Sequence, residues 1–495
     1  MRLLLILALT LAALAPASRA AEGDIARSIL RVNVTSQGYS FRLPWQKESP
    51  SSQRGLGALI GDGKVLVTAE IVVNSTYIEI EKPHSGEKIS AVVEGVDYEA
   101  NLAVIVPEDP EAAEPFFADL QPLEVAEEVS VGDQLEVWQF EPNGTSVSTG
   151  VTVDKFDLGR YFLDSAFFLV YEAGGTLQYR DGSYNLPVLR DGKLAGMLME
   201  YSSASQSSKI LPASIIHHFL TDLAAPPYRG FPNFGIKFAR TLDDQLREAL
   251  DMGGRQGGIF VSAVLPGTSA EASGIEEGDV ILEIGGHPVD ARGNYVDEKL
   301  GTLSIAHLVK GDVYAGDIIE VKILRNGEEM AIPVTLVRKD PEKYLVPPYM
   351  FGRGPNYLIM GGMLFQELTL PFLQSAGDKW ETHAPFKLVY ANSHPEHYED
   401  EGREKLVFLS GTLPSRSALG YEQLSSLIVD SVNGRKINKI QDLEAAFDAP
   451  GDDGIHEIRF TEFPTIIYLD DEAARFDNEN LLPQRYRIHQ LKRIE

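Results

Sequence analysis

A repeat in the second half of the chain constrains its fold more than any other feature. Ile259-Phe260-Val261-Ser262-Ala263-Val264-Leu265-Pro266 is matched by Val407-Phe408-Leu409-Ser410-Gly411-Thr412-Leu413-Pro414. In the same register, Val280-Ile281 to Gly285-Gly286 is matched by Ile428-Val429 to Asn433-Gly434. Gly-Gly and Asn-Gly are the dipeptides of two-residue hairpin turns, whose central residues both need positive φ. Each copy then carries a helical stretch, near Gly301 to Val309 and near Ile440 to Phe447. Two copies of one β-rich module, each with one or two helices, are expected.

The region from Ile25 to about His218 reads differently. Short apolar runs (Ala58 to Ile60, Lys64 to Thr68, Tyr77 to Ile80, Ala103 to Val106) alternate with turn residues such as Gly61-Asp62-Gly63 and His84-Ser85-Gly86. Many short strands with regular turn signals predict an all-β sandwich or barrel. A helix is expected from Pro212 to Leu223, and Ala224-Ala225-Pro226-Pro227 reads as a linker.

At 495 residues the chain is too long for one core. Its net charge of −28 argues against nucleic acid or an anionic membrane as a partner. The opening, with an apolar run from Leu3 to Leu14 followed by Pro16 and small residues, predicts a signal peptide over residues 1–20. The run falls short of the roughly 20 apolar residues that span a bilayer. An exported, periplasmic or secreted protein without a membrane span is therefore expected. The absence of cysteine removes any thiol nucleophile and leaves each domain to its own core. Asn-x-Ser/Thr sequons begin at Asn33, Asn74 and Asn143 and matter only in a eukaryote.

Gly55-Leu56-Gly57-Ala58-Leu59-Ile60, Val65-Leu66-Val67-Thr68 and Asn101-Leu102-Ala103-Val104-Ile105, in that order, resemble the HtrA/Do-like (Deg) serine proteases. Leu43-Pro44-Trp45-Gln46-Lys47, Gly230-Phe231-Pro232 and Tyr344-Leu345-Val346-Pro347 are similar to the plant-type branch, which has one PDZ domain and a second, divergent one. The resemblance implies a mainly β chain: a trypsin-like double β-barrel over 21–225, a PDZ domain over 229–340 and a divergent PDZ-like domain over 341–495. It also implies polypeptides or protein C-termini as partners, and a homo-oligomer, a trimer or a multiple of one.

By the same resemblance, Ile71 stands at the position of the catalytic histidine, Asn101 at that of the aspartate and Tyr184 at that of the serine. Isoleucine accepts no proton, and a tyrosine with a pKa near 10 is a poor serine. Asn185 and Leu186 replace the glycines that shape the family's oxyanion hole. Ser183 as a shifted nucleophile lacks a base, because the histidine between Ala21 and Ser214 is His84, in a turn. His217 and His218 read as helix-face residues. The expectation is a non-catalytic homologue acting as an adaptor or scaffold in protein quality control. An active endopeptidase with unorthodox residues and a structural assembly protein with blocked grooves are the alternatives.

PDZ modules bind an extended peptide at a sheet edge and hold its carboxylate with backbone N–H groups. Asn233-Phe234-Gly235-Ile236 resembles that loop, with Leu303 and His307 expected on the facing helix, one turn apart. A weaker loop candidate is Met360-Gly361-Gly362-Met363. His394-Pro395-Glu396-His397 reads as an exposed loop rather than a metal site, and no metal or cofactor is expected.

Overall fold

The computed structural model describes residues 25–178 and 185–495. The expected signal peptide lies outside them. The chain divides into two compact units, the first of Met1–Ser36, Ser52–Val264 and Ala272–Arg338, the second of Gln37–Ser51, Leu265–Glu271 and Lys339–Glu495.

In the first unit, strands β1 (Ile29–Ser36), β2 (Ser51–Gly61), β3 (Lys64–Val67), β4 (Ser75–Glu81), β5 (Lys88–Asp97) and β6 (Leu102–Pro107) close into a barrel in the order β1-β2-β3-β6-β5-β4. Alternate residues meet inside: Leu30, Val32 and Val34; Val65 and Val67; Ile78 and Ile80; Ala103 and Ile105. A period of two is what a strand needs to aim one face at a barrel interior. Gly57 lets neighbouring strands approach, since a Cβ there would meet Val65 at 2.5 Å.

A second barrel, in the order β10-β11-β12-β9-β8-β7, joins β7 (Gln134–Phe140), β8 (Ser146–Arg160), β9 (Phe167–Gly174), β10 (Leu186–Arg190), β11 (Lys193–Ser202) and β12 (Ser207–Pro212). The expected closing helix is Ala213–Leu223, which buries Ile215, Ile216, Phe219 and Asp222 at helical spacing.

The first module of the repeat contributes β13 (Ile236–Arg240), β14 (Ile259–Val264), β15 (Val280–Ile284), β16 (His287–Pro288), β17 (Asn294–Asp297), β18 (Gly301–Ser304), β19 (Ile318–Arg325) and β20 (Glu328–Thr335). Its sheet runs β13-β14-β15-β19-β20, with β16 on β15. In the second unit lie β21 (Tyr357–Met360), β22 (Met363–Glu367), β23 (Val407–Thr412), β24 (Leu427–Val432), β25 (Arg435–Lys436), β26 (Ile455–Phe460), β27 (Ile466–Asp470) and β28 (Lys492–Arg493), in the order β27-β26-β24-β23-β22-β21-β28.

The repeat is structural down to its register. Phe260 pairs with Val280, and its counterpart Phe408 pairs with Ile428. Ile284 faces His287 across Gly285-Gly286, as Val432 faces Arg435 across Asn433-Gly434. All four turn residues have positive φ, between 52° and 84°. Ile440–Phe447 is helical as expected. The stretch from Gly301 is helical only in its second half: Gly301–Ser304 forms β18, paired with β17, and a 3-10 helix covers Ile305–Val309. Aromatic and β-branched residues at Tyr295 and Val296 make a strand partner that captures Thr302 and Leu303.

Candidate functional site

Three loop ends meet between the two barrels. Thr68 leads into the short helix Ala69–Val72, which places Ile71 in the first barrel's core at 1% exposure. Asn101 precedes β6 in the left-handed region, at φ 53, a conformation that asparagine tolerates better than most residues. Its Oδ1 accepts a hydrogen bond from the Glu70 N–H at 3.0 Å. Behind it, the Asp97 carboxylate accepts from the N–H groups of Glu99 and Ala100 at 2.8 and 2.9 Å, which fixes the turn carrying Asn101. Asn185, at φ 59 and buried, enters from the second barrel just before β10.

Two of the expected triad positions are thus neighbours, Asn101 being bonded to the residue next to Ile71. Tyr184, like Ser183, lies outside the described residues. The residue that sequence reasoning missed is Glu70. Burial pushes its carboxyl above the ordinary carboxylate value, and a hydrogen bond from Asn185 pulls the other way. A carboxyl raised in this manner holds a proton more readily than an ordinary carboxylate does. Its signal in the sequence was an acidic residue interrupting the apolar run Val65 to Val73. His84 offers no base here: its ring packs edge-on against Phe140 at 5.9 Å.

The expected peptide-binding residues fall into two groups. Gly235, at φ 80, stands directly before β13, which ends its sheet, and Phe234 is buried beneath. Positive φ is what lets this loop turn its backbone N–H groups, and a side chain there would be strained. Leu303 and His307 are not on one helix: Leu303 is a buried β18 residue opposite Tyr295, and His307 lies in the 3-10 helix. His307 Nδ1 is 2.6 Å from the Tyr295 hydroxyl, and burial lowers the imidazole's affinity for protons.

The second module is arranged differently. Met360-Gly361-Gly362-Met363 is the turn of the β21–β22 hairpin, with Gly361 at φ 59 and Gly362 at φ 92. β21 lies along β22 where an added peptide strand would lie, and β28 lies beyond it. Asn478 Oδ1 accepts from the Gly361 N–H at 2.9 Å, and Ser417 Oγ donates to the Gly361 carbonyl at 2.8 Å. This loop is a filled structural turn, not an anion cradle.

The first module is joined to the barrels through a buried polar seam. His218, on the Ala213–Leu223 helix, stacks between Phe231 and Tyr314 at 4.0 and 3.9 Å, with Nδ1 3.1 Å from the Gly311 carbonyl. Lys310 lies over the Phe168 ring at 4.5 Å, and burial lowers its pKa against the pull of Glu99 and Asp97. Tyr228 donates to Asp97 at 2.7 Å, so the turn that carries Asn101 is tied to the segment entering the first module.

Residues 233–294 match the PDZ domain family, and 346–492 match a second PDZ domain family, PDZ_3. Protease Do-like 2, chloroplastic, of Arabidopsis thaliana is 26% identical over 86% of this chain and 68% of its own length. Protease Do-like 4, mitochondrial, of the same plant is 24% identical over 84% and 76%. The serine protease DegP homolog of Plasmodium falciparum (isolate 3D7) is 20% identical over 84% and 58%. Among solved structures, the HtrA-type protease AlgW with decapeptide covers 65% of this chain and 98% of its own at 16% identity and a TM-score of 0.48. The Arabidopsis and Plasmodium relatives, named as proteases, correct the expectation that the chain is not an enzyme: what they point to is a protease. No helix among the described residues is long and apolar enough to cross a membrane. The paired barrels, the repeated modules and the Do-like relatives agree in supporting an HtrA/Do-like protease with a protease domain and PDZ domains.

Proposed function

We propose that this chain is an exported, oligomeric Do-like protease that takes polypeptide ends at the first PDZ domain and presents the chain to the inter-barrel cleft. The observation that supports it most directly is the loop at Phe234-Gly235: a positive-φ glycine leading into the end strand of a sheet, the arrangement that β-augmentation uses. In the cleft, Ile71 supplies no base, so hydrolysis must draw on another group. Glu70 is the acidic side chain whose burial suits it to proton transfer.

The test pairs digestion of a denatured protein with titration of a labelled peptide bearing a free or an amidated C-terminus. Cleavage by the wild type that is lost in Glu70→Gln, and that declines as the carboxyl becomes protonated in acid, is the expected result. Wild type that leaves the substrate intact overturns the hydrolytic part. Equal binding of the free and amidated peptides overturns carboxylate capture.

A further inference from the structure

We infer that His394, Glu396 and His397, on the second PDZ-type domain, form a binding site for a late first-row divalent cation of the Zn²⁺ class. The sequence suggests an exposed loop here, but the structure builds a corner between two helices. Phe386–Ser393 ends with the His394 N–H donating to the Tyr390 carbonyl at 2.8 Å. Glu396–Glu399 begins two residues on, with the Glu399 N–H donating to the Pro395 carbonyl at 3.0 Å. Pro395, at φ −61, fixes the angle between them. One imidazole therefore projects from the end of one helix, and a carboxylate and a second imidazole from the start of the next.

The three side chains already converge. One ligand atom from each lies within 4.8 Å of the other two, and His394 Nδ1 is 3.1 Å from Glu396 Oε1. Tyr390 orders the rings from below, lying parallel to His397 at 6.0 Å and 4.6 Å from His394. Bonds of about 2.0–2.2 Å to a tetrahedral ion need the donors at roughly 3.3–3.6 Å from one another. The half-exposed His394 and exposed His397 can close that gap by side-chain rotation alone. Two imidazoles and one carboxylate are a Zn²⁺-class donor set, whereas Mg²⁺ and Ca²⁺ favour oxygen throughout. Three protein ligands leave a fourth position for water or for a donor from another molecule. The bound ion would pin the two short helices to each other.

The full-length protein, stripped with a chelator, is titrated with Zn²⁺ against a chromogenic chelator, with Mg²⁺ and Ca²⁺ in parallel. The expected result is one equivalent of Zn²⁺ in preference to the other two ions, with affinity reduced by about tenfold or more in His394→Ala and His397→Ala. Zn²⁺ should also raise the thermal midpoint of the wild type and leave that of the double variant unmoved. Circular dichroism shows whether the variants are folded, which the exposure of both side chains favours. Failure of the wild type to bind Zn²⁺, or an unchanged affinity and stoichiometry in the double variant, overturns the site.

Discussion

The two PDZ-type domains come from one repeat and pair their inner strands in one register, yet they treat the strand next to the loop glycine in opposite ways. In the first, β13 follows Gly235 and ends its sheet. In the second, β22 follows Gly362 and is flanked by β21 and β28 of its own chain. A hairpin has taken the place of an added strand, and Asn478 and Ser417 hold its turn. One sequence pattern thus supports either an end strand or a covered one, and what decides is whether a strand precedes the glycines within hairpin distance.

The inner strands are locked differently too, and that gives the largest effect. In the second domain the Arg403 side chain is fully buried and donates to the carbonyls of Val429 and Ile437 at 2.8 and 3.3 Å, holding β24 to its neighbours. In the first, Arg325 forms a two-pronged pair with buried Asp279 at 2.7 and 2.8 Å, and Asp279 also accepts from the Glu276 N–H. Arg403→Met should cost about 3 kcal/mol, because it strands buried acceptors. Arg325→Met should cost less, since the partly exposed guanidinium leaves a place for water beside Asp279, which also keeps the Glu276 N–H. Denaturant titrations of both variants check the order; an equal or reversed loss breaks the contrast.

The β-strand character of both halves, the closing helix and the repeat were legible because they rest on local signals: alternation, turn dipeptides and helical spacing. Ile71 and Asn101 end up beside each other for the same reason, since short strands on either side fix their register. Leu303 was misplaced because an amphipathic stretch of four residues satisfies a strand or a helix equally, and Tyr295, its partner, decides by tertiary pairing. Glu70 escaped notice because its importance comes from burial against Asn185, more than a hundred positions away. The filled second groove was hidden likewise, since Asn478 approaches Gly361 from the far end of the domain.

A seam of titratable groups joins the first module to the barrels, so acid should single it out. Burial dominates at His218 and lowers its pKa from the ordinary 6.5; the Gly311 carbonyl, Asp222 and Asp97 oppose this, and Arg229 adds to it. The unfolded chain therefore binds this proton more readily than the folded one. The stabilisation is complete above about pH 6.5 and is lost as pH falls from there to the depressed folded value. His218→Phe keeps the stack on Phe231 and Tyr314, and should flatten the stability–pH slope of the first unit in that window. Denaturation midpoints between pH 5 and 8 read the slope, whatever the variant loses at neutral pH. A slope as steep as that of the wild type assigns the acid sensitivity elsewhere, with His307 the next candidate.

The smallest effect bears most directly on why the second groove is filled. Asn478 Oδ1 accepts the Gly361 N–H at 2.9 Å, while buried Asp477 accepts from the N–H of Ser417 at 2.9 Å and so holds the residue whose hydroxyl reaches the Gly361 carbonyl. The turn is therefore tied from both sides to one helical segment. Asn478→Ala removes the tie to Gly361, together with the longer one from Nδ2 to the Ile359 carbonyl at 3.4 Å, and leaves the Gly361 N–H to find water, a loss of about 1 kcal/mol. Because β21 still pairs with β22 over Tyr357 to Met360, the variant should gain no affinity for free C-terminal peptides. Amide exchange at Gly361 should quicken while exchange along β22 stays slow. If peptide binding appears on this single change, the side-chain ties rather than the β21 strand are what fill the groove, and the difference between the two domains shrinks to one asparagine.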